Sequence, residues 1–270
     1  MIRTIRSGKV IEKSQFFVGE RKPRSDRRKG STTLIKQDRN MSDAVRRLAR
    51  ILNCNFGKDD LFVTLTYDSE PESIEEADKA CALFWRRLTR TFKEFVPGEK
   101  LKGVWITSDK DDKTGEHVRL HHHIVLSGVG IQCSFDEKSR SARVGDRELS
   151  DIWKKGFVHV EYLQDQDDYT PVAAYLVRQA AASADAKKWH PTRGLEKPII
   201  ESERIVENPK ELHTPPGADV QEIGEYDKET GTHYVRYIRR RWKDKNNGNI
   251  LRTDPEKDKI REPKNKDPGW

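Results

Sequence analysis

An α+β fold, with a central antiparallel β-sheet and flanking helices, is predicted by three features of this chain. Helical and strand periodicities alternate from residue 41 to residue 184, two of the strands lie close enough to pair as a hairpin, and an Ala-rich helix follows the last strand of that region. The elements follow in order. Residues 41–52 (MSDAVRRLARIL) set Ala44, Leu48, Ile51 and Leu52 at helical spacing, with Ser42 as N-cap. Residues 61–67 (LFVTLTY) are β-branched and aromatic, the composition of a strand. Residues 75–95 carry Ala77, Ala80, Leu83, Phe84, Leu88, Phe92 and Phe95 on one stripe, a helix that Pro97-Gly98 ends.

A second strand at 103–107 and a third at 119–127 flank a polar turn from Asp109 to Gly115, longer than a two-residue hairpin loop. A short helix is expected at 147–153 and an alternating strand at 156–162. A helix over 171–184 is opened by Pro171 in its first turn. Beyond residue 187 prolines interrupt the pattern. Residues 232–239 read as a late strand with one basic face, and 243–270 as a disordered tail.

Charged residues make up 36% and apolar residues 34%, enough for one core with poorly packed ends. The expected organisation is a basic arm at 1–40, a domain at 41–200, an extension at 201–242 and the tail at 243–270. Residues 1–50 hold 15 Lys/Arg against 5 Asp/Glu, a net of +10 in a chain of net +7. Arg24, Arg27 and Arg28 lie in the densest run and suit phosphate backbones, although a solvated tail has the same composition. Cys54, Cys81 and Cys133 are odd in number and widely spaced, which suits a reducing cytoplasm better than a disulfide framework. No apolar run approaches a membrane span, no signal peptide is evident, and no Gly-rich phosphate loop points to an ATPase.

The chemistry concentrates in residues 119–127, RLHHHIVLS. Alternation places Arg119, His121, His123 and Val125 on one face of that strand, and Leu120, His122, Ile124 and Leu126 on a core face. Two imidazoles so placed can converge on one divalent ion if a third, oxygen ligand joins them. Hydrogen-bonded or solvent-facing histidines are the plain alternative.

Three segments in order, FVTLTYD at 62–68, RLHHHIVLSG at 119–128 and AAYLVRQ at 173–179, resemble the motifs of the HUH endonucleases, in particular the rolling-circle replication initiators of small bacterial phages and plasmids. The resemblance spans roughly residues 41–200 and implies the HUH-like α+β fold. It also implies that His121 and His123 hold Mg²⁺ or Mn²⁺, with Asp109 as third ligand or Glu116 as its rival, and that Tyr175 is the nucleophile, with Tyr169 a weaker competitor. Arg178 falls where lysine is commoner and would favour the phenolate from one turn away. Ser108 stands where the family has an acidic or amide ligand, and His122 where it has a hydrophobic residue. Thr64 and Thr66 read as sheet support.

The implied activity is sequence-specific cleavage and rejoining of single-stranded or hairpin origin DNA through a 5′-phosphotyrosine, alongside a host helicase and polymerase, with Arg119 and Arg236 among the phosphate contacts. A relaxase or single-tyrosine transposase of the same superfamily, or a non-catalytic nucleic-acid-binding protein, stays open. The tyrosine follows the histidines, an order that favours the initiator over the relaxase.

Overall fold

The computed structural model describes residues 1–17, 34–111, 114–135, 140–180, 189–203 and 210–239. Arg24, Arg27, Arg28 and the tail at 243–270 lie outside the described residues. The first half of the chain runs β1 (Ile2–Ser7), β2 (Val10–Gln15), α1 (Leu34–Asn55), β3 (Leu61–Leu65), α2 (Ile74–Phe95), β4 (Gly103–Lys110) and β5 (His117–Leu126). The second half runs β6 (Gln132–Phe135), β7 (Arg140–Val144), β8 (Arg147–Glu148), α3 (Leu149–Trp153), β9 (Val158–Tyr162), α4 (Thr170–Gln179), β10 (His190–Pro191), β11 (Ile199–Glu203), β12 (Asp219–Ile223) and β13 (His233–Ile238). The fold is α+β.

The central sheet has the order β10-β4-β5-β3-β9, and every pairing in it is antiparallel. Its register sets Thr64 opposite His123 on one side of β5, with Ile106 opposite His123 and Ser108 opposite His121 on the other. Directly opposed residues share a face, so these side chains line one surface together. Both faces of the sheet are covered. Leu61, Val63, Leu65, Leu120, Ile124 and Leu126 pack under α2 and α3 through Phe84, Leu88 and Trp153. Val104, Ile106 and Val125 pack under α1 and α4 through Leu48, Leu52, Ala173, Leu176 and Val177.

α2 starts at Ser73, whose hydroxyl accepts from the Glu76 amide and so satisfies one of the free donors of the first turn. Its buried stripe runs through Ala77, Cys81, Phe84, Trp85, Leu88 and Phe92, while Phe95, expected on it, is 39% exposed. Of the helix expected at 171–184, α4 ends at Gln179, and 181–184 lie outside the described residues. The chain turns extended at Ala180, which bridges Ser108 of β4, and tertiary pairing overrides propensity there.

The N-terminal arm needs correction. Residues 2–15 form the hairpin β1-β2, the middle of a second five-stranded sheet of order β11-β1-β2-β13-β12. Ile5, Val10 and Ile11 are buried, and that burial outweighs the positive charge. The late strand expected at 232–239 is β13, paired along its length with β2. This sheet docks on α1 through Glu12, which accepts two hydrogen bonds from the Arg50 guanidinium at 2.8 and 2.6 Å. No helix among the described residues is long and apolar enough to cross a membrane.

Candidate active site

The register of the central sheet and the pitch of α4 bring one tyrosine to the paired histidines. Tyr175 Oη lies 3.2 Å from His123 Nε2, and His123 Nε2 lies 3.2 Å from His121 Nε2. Phe62, from the first motif, packs edge-on against Tyr175 and at 5.4 Å from the His123 ring, which fixes both. The competing tyrosine is elsewhere. Tyr169 caps α4, is 3% exposed, and donates its hydroxyl to the Gln164 carbonyl.

The proton positions follow from the partners. His121 Nδ1 is 2.9 Å from the Arg119 carbonyl oxygen, which can only accept. His121 therefore carries its proton on Nδ1 and turns the Nε2 lone pair toward His123. Thr64 Oγ1 sits 3.2 Å from His123 Nδ1 and can hold that ring in the same tautomer. The threonine read as sheet support thus touches an imidazole of the site. Burial, and then the neighbouring His121, push the His123 pKa down to about 3, so the ring is neutral at physiological pH.

This arrangement fits a divalent cation. Two donors about 2.1 Å from a shared ion stand about 3.0–3.4 Å apart at octahedral to tetrahedral angles, the spacing of the two Nε2 atoms. The third ligand is less direct. Asp109, the expected one, is not brought to the pair: β4 bulges between Ser108 and Lys110, and the Asp109 carboxylate lies 3.9 Å from His117 on the turn side. Asp109 Oδ1 is buried without a hydrogen-bond partner. Glu116 caps the turn with Thr114. Among the described residues no third His, Cys, Asp or Glu joins His121 and His123.

An amide is linked to the pair through Ser108. Gln179, 5% exposed, accepts through Oε1 from Ser108 Oγ at 3.2 Å, and Ser108 lies opposite His121. Gln179 is four residues after Tyr175, one helical turn along the same face. That Tyr-x-x-x-Gln spacing was visible in the sequence and is the signal that points to it.

His122 turns to the opposite face. It is fully buried, with Nε2 2.7 Å from Tyr67 Oη and Nδ1 3.0 Å from Thr107 Oγ1, and burial lowers its pKa to about 3. Arg178 is exposed in the last turn of α4, three residues from Tyr175. Arg119 and Arg236 are committed within the fold. Arg119 donates to the carbonyls of Tyr67 and Asp68 at 3.1 Å, and Arg236 donates to Asp168 and Thr170 at 2.8 and 2.6 Å, tying β13 to the start of α4. A hollow of about 550 Å³ opens beside His121, between Tyr67, Arg119 and the 77% exposed ring of Phe157.

Residues 60–180 match the model of the replication-associated protein (ORF2) family. The matched segment runs from β3 to the end of α4 and so contains the paired histidines, Tyr175 and Gln179. The match is consistent with a rolling-circle replication initiator and supports a part in replication initiation. No curated protein and no solved structure matches the chain.

Proposed function

We propose that this chain is a metal-dependent DNA strand-cleaving and strand-joining enzyme that acts in replication, with Tyr175 as nucleophile. One observation carries the reading: a tyrosine hydroxyl and two imidazole nitrogens converge within 3.2 Å contacts on one face of the sheet. His121 and His123, with the Gln179 amide oxygen, would hold Mg²⁺ or Mn²⁺, which supplies charge stabilisation at the scissile phosphate.

The residues of the chain do the remaining work. Tyr175 Oη forms the bond to phosphorus as the bond to the 3′ oxygen breaks, the phenolic proton leaves to solvent, and the 3′ oxygen takes up a proton. The product is a 5′-phosphotyrosine and a free 3′ end, and the reverse attack rejoins the strand. His123 is a poor proton acceptor for this step. Burial holds its pKa far below that of a phenol, and its Nε2 faces the metal position. Deprotonation to solvent near pH 7 costs about 4 kcal/mol, so positive charge near the hydroxyl is the easier route, and Arg178 stands one turn away. The hollow beside His121 would seat the substrate strand, with Phe157 as a stacking surface for a base.

The test is incubation with labelled single-stranded oligonucleotides from the cognate replicon, with Mn²⁺ or with EDTA, followed by denaturing electrophoresis. An SDS-resistant adduct that requires both the metal and Tyr175, and is lost in Tyr175→Phe, is the expected result. Tight DNA binding without adduct across the whole replicon would replace this reading with that of a non-catalytic binding protein.

A further inference from the structure

On the sheet face opposite Tyr175, a cleft of about 590 Å³ opens between α2 and α3 and is lined by Arg87, Arg90, Arg147 and Lys154 against a single carboxylate, Asp151. Arg147 reaches Glu94 at 3.5 Å, but Arg87, Arg90 and Lys154 have no ion pair among the described residues. Four cations against one lining carboxylate leave an excess of positive charge that an entering anion would offset. Lys154 adds a second and independent sign. It is the only non-glycine residue with positive φ among the described residues, at 61°, where it closes the C-terminus of α3. That position favours glycine or asparagine, and a lysine held there keeps its side chain at the expense of backbone strain.

We propose that this cleft is a second phosphate-backbone site, holding a DNA segment other than the one that meets Tyr175. The inference rests on the reading of the chain as a DNA-handling protein, not on its cleavage chemistry. The cleft offers exposed or half-buried guanidinium and ammonium groups, point and fork donors for phosphodiester oxygens, and no aromatic surface on which a base could stack. It therefore takes the backbone and not the bases, and contributes affinity without sequence preference. A strand or stem leaving the catalytic face would be gripped a domain's thickness away from the nick.

The experiment measures DNA binding by fluorescence anisotropy in the Tyr175→Phe full chain with EDTA, so that failure of the cleavage chemistry leaves it untouched. A hairpin oligonucleotide long enough to reach both faces is compared with a short single strand that fills the catalytic face alone, each over a salt series. Arg87→Gln/Arg90→Gln/Lys154→Gln is expected to bind the hairpin about ten-fold more weakly, with a log K against log salt slope reduced by about 2 to 3. The short strand should bind as before. The single change Lys154→Gly should raise Tm by relieving the backbone while it weakens hairpin binding, a pairing that a purely structural lysine would not give. Unchanged hairpin affinity and slope would overturn the proposal, as would equal weakening for both oligonucleotides. Calorimetry with inorganic pyrophosphate alone separates the remaining source: binding that the triple variant abolishes while hairpin affinity stays intact would make the cleft a small-anion site and sink the nucleic-acid assignment.

Discussion

At the scale of single residues, neighbouring histidines on β5 are put to different use by nothing more than strand alternation. His122 is walled in by Tyr67, Trp105 and Trp153 and bonded at both ring nitrogens, and its burial favours the neutral ring. Its pKa is near 3 folded and about 6.5 unfolded, so its contribution is whole above about pH 6.5 and is lost as pH falls toward 3. In EDTA, His122→Leu should flatten the dependence of the urea midpoint on pH, removing about 1.4 kcal/mol per pH unit below about 6. An unchanged slope would mean that the acid sensitivity resides elsewhere. Phe157 makes the complementary case. Its ring is 77% exposed, so Phe157→Ala should leave Tm unchanged while weakening single-strand binding by about 1–3 kcal/mol, read as a change in Kd by anisotropy.

At the scale of elements, legibility tracked how cleanly one physical signal dominated each segment. β3, β4, β5, α2 and α4 carry unbroken apolar patterns and were legible from sequence, as was the long turn between β4 and β5. β1 and β2 were not, because Ile2, Ile5, Val10 and Ile11 do not alternate at period two and Arg3, Arg6, Lys9 and Lys13 outweigh them in any composition measure. The signal present was Gly8, which sits at φ 58° as the first residue of the two-residue turn between paired Ser7 and Val10. The candidate site divides the same way. The histidines and Tyr175 could be read from motifs; Gln179 had only its spacing from Tyr175 as a signal, and Thr64 needed the register that sets it opposite His123. The second sheet owes its seat on α1 to Arg50 and Glu12, whose side chains are 21% and 6% exposed. Arg50→Ala strands the Glu12 carboxylate beside only the Tyr234 hydroxyl, and should destabilise the protein by about 3 kcal/mol in urea unfolding. Tm equal to wild type would show that this ion pair does not hold the second sheet in its seat.

At the scale of the whole molecule, the two faces of the central sheet separate stability from chemistry. The core under α2 and α3 is apolar and continuous around His122, and nothing in it depends on an ion. The ligand candidates sit on the other face, held by backbone register, by Thr64 and by α4, all of them contacts within the protein itself. Chelation should therefore leave the far-UV CD spectrum unchanged while abolishing cleavage, unlike a structural metal centre whose removal unfolds the domain. Added Mn²⁺ binds only the folded state and should raise Tm with concentration, by about 2.7 kcal/mol at a hundred-fold excess over its Kd. That rise is a readout of ligation independent of cleavage, and it discriminates the third ligand. His123→Ala and Gln179→Ala should each abolish most of the Mn²⁺-dependent rise, while Asp109→Ala should keep it, because the β4 bulge turns that carboxylate toward His117. Loss of the rise in Asp109→Ala with retention in Gln179→Ala would reverse the assignment and require the turn at 109–116 to close over the histidines when the ion binds.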